Sequence, residues 1–106
     1  MPGGYVRPLA TQMEPKSGRQ ALTVDSTSGG VALTVPATAV AASCRLETAQ
    51  IRYTLDATAP TTTVGTLMNP DEILVLESRA ELLAFLAIRT GGTSGTLQTE
   101  YFGIDT

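Results

Sequence analysis

Residues 51–61 place the firmest limit on what this chain can fold into. Ile51, Tyr53 and Leu55 alternate with Arg52 and Thr54, the period of two expected of a strand with one face buried. Asp56 ends the alternation, because its carboxylate can bond the backbone two residues on. Ala59 stands before Pro60 and is pushed toward an extended conformation. No helix can run through this part of the chain, and the segment carries no reactive group. It reads as scaffold.

Composition extends that limit to the whole chain. Thr is frequent, Lys occurs only at Lys16, aromatic residues make up 5%, and Gly and Pro recur between short apolar runs. These features favour strands and turns over long helices, so the fold class expected is all-β. A length of 106 residues fits a single domain that buries roughly 60–65% of its unfolded surface.

The residues Ile51 to Asp56, Pro60-Thr61 and Val64-Gly65, and more loosely Leu82 to Phe85 and Leu97 to Phe102, resemble a pattern of small tailed-phage virion proteins. There an I-R-Y-T-L-D-G-T-x-P-T-like strand and turn precedes a polar stretch and two C-terminal strands. A similar turn occurs in the C-terminal β-sandwich of chitobiase-like glycosidases. The resemblance covers about half the chain. It implies a small antiparallel β-sandwich or barrel, with an extended N-terminal arm and at most one short helical turn near 79–83. This chain has Ala57 where the pattern has Gly, at a position where a left-handed backbone would suit Gly better than Ala.

Along the chain, residues 1–20 hold three prolines and several glycines without periodicity, and are expected to form an extended arm outside a single β domain of residues 21–106. Residues 21–24 and 31–35 read as two strands joined by a Ser/Gly-rich connection, a hairpin candidate. Residues 43–55 change phase, with Cys44 and Leu46 on even positions and Ala49, Ile51 and Tyr53 on odd ones. Two linked strands with a break near Glu47 to Gln50 are the simplest account. The continuous run Ile73 to Leu76 is expected to be a central strand. Ser78 and Glu81 form a capping box. A short turn there followed by a strand at 84–89 is favoured over a helix reaching Leu86 or Ile88. Gly91 to Gly95 then leads into a final strand, giving a terminal hairpin with Leu97, Thr99 and Tyr101 on one face and Gln98, Glu100 and Phe102 on the other.

The search for chemistry yields little. With no His in the chain, the Ser-His-Asp and Cys-His arrangements cannot be built. Cys44 is the only cysteine, so neither an internal disulfide nor a Cys-based zinc site is available, and it reads as a small buried hydrophobe. Asp71-Glu72, Glu77 and Glu81 have ordinary places at turns and helix starts. Gly91-Gly92-x-x-Gly95 lacks the lysine of a phosphate-binding loop. No catalytic, cofactor-binding or metal-ligating residue is expected. A net charge of −3 with scattered basic residues leaves no footprint for nucleic acid. No signal-like or membrane-spanning stretch is read, and synthesis in the host cytoplasm without export is expected.

The phage resemblance implies a structural protein on the outer capsid surface of a virion, decorating or cementing the shell. Its partners would be the major capsid protein and copies of itself, as a dimer or trimer. Tyr5, Val6 and Leu9 in the arm, with Tyr101 and Phe102 on the last strand, are the expected assembly contacts. A head-completion or tail role is a variant of the same reading. A carbohydrate-binding or adhesive module is the alternative from another class, although the chain has no Trp to stack on a sugar.

Overall fold

The computed structural model describes residues 13–104. The elements in chain order are β1 (Met13–Val24), β2 (Val31–Ala32), β3 (Ala39–Glu47), β4 (Ile51–Thr54), β5 (Thr66–Met68), β6 (Ile73–Leu76), α1 (Arg79–Ala84), β7 (Leu86–Arg89) and β8 (Gly95–Ile104). They form two four-stranded sheets, ordered β1-β8-β3-β6 and β2-β7-β4-β5, and every pairing is antiparallel. The sheets pack together as an all-β sandwich. Leu22, Val24, Cys44, Leu46, Leu97 and Tyr101 from the first sheet meet Ile51, Met68 and Ala87 from the second in one core, closed by Leu82 and Phe85.

At both expected hairpins the two strands lie in opposite sheets, which corrects them; β4 and β5, by contrast, follow one another within one sheet and pair directly. β1 pairs with β8 while β2 pairs with β7, so the Ser/Gly-rich connection at 25–30 carries the chain from one layer to the other. Likewise β7 belongs to the second sheet and β8 to the first. The expected break after Glu47 is present, and there too the chain changes layer between β3 and β4. Thr48 takes a positive φ of 82° at that step. The three crossings are tied together at one end, where Arg89 N–H donates to Asp25 O (3.0 Å) and Thr90 N–H to Gln50 O (3.3 Å).

Two further expectations change. β1 begins at Met13, so residues 13–20, assigned to the arm from sequence, are laddered to β8. Gly18 faces Tyr101 and Arg19 faces Glu100, past an irregularity between Glu14 and Gly18. β6 is an edge strand, not a central one. Its apolar run suggested two covered faces, but only the inward residues are covered. Leu76 is buried, whereas Ile73 is 65% and Val75 56% exposed.

The helix is short, as the capping box implies. Ser78 Oγ accepts from Glu81 N–H at 3.2 Å, and Glu81 Oε1 accepts from Glu77 N–H at 2.7 Å. It ends at Phe85, whose extended backbone starts the run into β7. Arg79 fastens α1 to the first sheet, donating to the carbonyls of Pro36 (3.0 Å) and Ala39 (2.6 Å).

Ala57 does take the left-handed conformation, with φ 67°. A side chain there costs about 1–2 kcal/mol relative to a residue without a Cβ. Ala57→Gly is therefore expected to stabilise the fold by about 1 kcal/mol, part of the gain being offset by the freer unfolded chain. Thermal unfolding followed by circular dichroism should show a midpoint higher by roughly 4–8 °C. An unchanged or lower midpoint would remove the strain assigned to this turn.

Candidate functional site

The polar side chains of the 51–61 segment are occupied in building the loop that follows it. Asp56 Oδ1 accepts from Thr58 N–H (3.0 Å), and Thr54 Oγ1 donates to Thr58 O (2.6 Å). Arg52 reaches across the loop, its Nε donating to Thr62 O (3.0 Å) and its Nη1 to Gly65 O (2.8 Å). Thr61 Oγ1 accepts from Val64 N–H (3.0 Å). An open depression of about 430 Å³ lies beside this loop, between Tyr53, Asp56, Val64 and Thr66. Bonds to the Thr58 backbone and hydroxyl hold the Asp56 carboxyl below its ordinary pKa. Asp25 is lowered in the same way by Thr27, whose backbone N–H donates at 2.9 Å and whose hydroxyl donates at 2.5 Å. Both acids are turn formers at the solvent surface.

The remaining reactive types are placed just as quietly. Cys44 is fully buried, and burial pushes its thiol pKa up, away from the thiolate that nucleophilic chemistry needs. Tyr101 is 1% exposed. Its hydroxyl donates to Gln20 Oε1 at 2.8 Å, and burial pushes the phenol up to about 12. Among the described residues no group of three or more His, Cys, Asp or Glu side chains could hold a metal ion.

What the fold does offer is a surface. The outward face of the first sheet presents cross-strand rows set by register: Arg19, Glu100, Ser43 and Val75 in one, and Ala21, Gln98, Arg45 and Ile73 in the next. Charges of both signs alternate across it. Arg45 pairs with Asp71 at 2.8 Å, and Gln98 Nε2 donates to Glu47 Oε1 at 3.3 Å. A shallow depression of about 360 Å³ sits among Arg19, Ser43, Arg45 and Glu100. The face ends at β6, where Ile73 and Val75 stand exposed on an edge that no strand among the described residues pairs with. Directly opposed residues on such a face interact as pairs worth roughly 0.2–1 kcal/mol each, so this surface is ordered enough to be recognised.

The expected assembly contacts fare unevenly. Tyr5, Val6 and Leu9 lie outside the described residues. Tyr101 is a core residue and offers nothing to a partner, because the alternation of β8 turns it inward with Leu97 and Thr99. Phe102 is half-buried, on the outward face. Ile73 and Val75 were not singled out from sequence. The signal that could have found them is the acidic flank on each side of their run, Asp71-Glu72 before and Glu77 after, since charges bracket exposed edge strands more readily than central ones. No protein-family model, curated protein or solved structure matches this chain.

Proposed function

We propose that this chain is a structural protein of a phage particle, decorating or cementing the outer capsid surface by bridging capsid subunits. The observation that carries the reading is the outward face of the first sheet, a mixed-charge surface ending in the exposed apolar pair Ile73 and Val75. Covering what remains exposed of those two side chains is worth about 1–2 kcal/mol each. Repetition over many copies turns modest single contacts into firm attachment. The phage-like segment supports the reading from another direction, since its polar residues are spent on loop construction. A mechanical role needs a rigid frame and no reacting group. The sugar-binding alternative loses support, because Tyr53 stacks on Phe85 with ring centroids 5.9 Å apart and Tyr101 is buried.

The arm is the second contact in this reading. Deleting residues 2–12, all of which precede β1, is expected to lower occupancy on purified capsids at least tenfold and to reduce their heat resistance. Unchanged occupancy would take Tyr5, Val6 and Leu9 out of the mechanism. Counting this chain against the major capsid protein in purified particles separates decoration, with hundreds of copies, from a neck or tail position with a dozen or fewer.

A further inference from the structure

The two edges of the first sheet are complementary to each other. Among the described residues no strand pairs with the outer side of β1 or of β6. The order β1-β8-β3-β6 is antiparallel throughout, so β1 and β6 run in opposite directions. A second copy, turned about an axis along the strands, therefore brings its β1 antiparallel to β6 and continues the same ladder.

Register and charge select how they meet. Leu46 N–H donates to Glu72 O at 3.1 Å, so by alternation Ile73 and Val75 carry the backbone groups that point away from β3. Keeping outward residues opposite outward residues, one alignment sets Thr23 against Ile73, Ala21 against Val75 and Arg19 against Glu77 of the neighbouring copy. Leu22 then meets Leu74 on the inward side. The exposed apolar pair is covered by small side chains, and an exposed cation opposes an exposed anion. By contrast, pairing β6 with itself about a two-fold axis through Leu74 sets Asp71 against Glu77 at both ends, a like-charge opposition that disfavours that register.

We infer that this chain assembles head to tail with copies of itself, β1 of one copy pairing with β6 of the next so that the sheet continues from copy to copy. A contact between two different edges repeats from copy to copy, closing into a ring where the rotation per copy closes and running on as an open filament where it does not. The inference stands on the two edges alone and is read without any capsid. Where it holds, Ile73 and Val75 are covered by the neighbouring copy and the mixed-charge face is left for the shell; where it fails, the pair stays open to a capsid subunit.

Sedimentation equilibrium or native mass spectrometry of the purified full chain should give a mass of three or more copies. Arg19→Glu or Glu77→Arg alone should reduce it to monomer, and the two together should restore it. Circular dichroism reports whether each variant is folded. As a test that does not depend on disruption, a chain carrying both Ala21→Cys and Val75→Cys should oxidise to a ladder of covalent multimers beyond the dimer. Cys44 is buried and stays out of that reaction. A monomeric or dimeric wild-type chain, single reversals that leave the mass unchanged, or cross-linking that stops at dimers would each overturn the inference.

Discussion

Phe85→Ala is expected to cost about 3–5 kcal/mol of stability, the range for emptying a fully buried aromatic site. Phe85 has no exposed surface, and its ring stacks on Tyr53 at a 5.9 Å centroid separation and 22° between planes. Such a pair adds roughly 0.5–1.5 kcal/mol beyond its buried area. Phe85 also sits at the joint between α1 and β7, where its backbone N–H closes the helix on Glu81 O at 3.0 Å. That bond survives the substitution, so the loss is one of packing. Small domains hold about 5–15 kcal/mol in all, and the variant is expected to be largely unfolded at moderate urea concentrations that leave the native chain intact. Phe85→Leu, which keeps most of the volume, should cost less than about 1.5 kcal/mol. Equal midpoints for the alanine variant and the native chain in urea titrations would refute the role given to this ring.

Gly30→Ala is expected to cost about 2–4 kcal/mol, from backbone strain and overpacking together. Gly30 has φ +91°, and a Cβ there would lie 2.9 Å from both Cδ and Cγ of Pro60 and 3.1 Å from Leu86 Cβ. The Pro60 ring is rigid and buried, so it cannot yield as the end of a long side chain would. Gly29 provides the internal control. Its φ is similar, +89°, yet nothing stands within 4 Å of an added Cβ, so Gly29→Ala should show the strain alone, about 1–2 kcal/mol. The difference between the two variants, measured by denaturant unfolding, isolates the contact between residue 30 and Pro60. If both cost the same, that contact carries no weight in holding the loop.

These two sites show why part of the fold was legible and part was not. The alternation of Ile51, Tyr53 and Leu55, the inward set Leu97, Thr99 and Tyr101, and the capping box at Ser78 are local, and each stands where its spacing places it. Sheet membership is not local. Nothing in residues 25–30 distinguishes a connection that folds β2 back on β1 from one that crosses to the other layer. The choice rests on β1 finding β8 and β2 finding β7, partners more than fifty residues away. The same blindness made Ile73 to Leu76 look central, since four apolar residues in a row do not state how many neighbours the strand will have. It also hid the role of Tyr101, which the alternation had grouped correctly on one face without telling which face turns inward.

The candidate surface was half legible for the same reason. Its charged residues are spread over β1, β3 and β8, and only the antiparallel register lines up Arg19, Glu100 and Ser43 in one row. By itself the sequence determined the all-β class, the strand and turn at 51–61 and the short capped helix, because alternation, proline geometry and capping act over a few residues. It also set the absence of histidine and the single cysteine, which bound the chemistry whatever the fold. Only the tertiary structure decided that Pro60 docks on Gly30, that the chain changes layers after β1, β3 and β7, and that β1 and β6 become the two edges of one sheet. Those outcomes depend on pairings between distant segments, whose energies exist only once the chain has closed on itself.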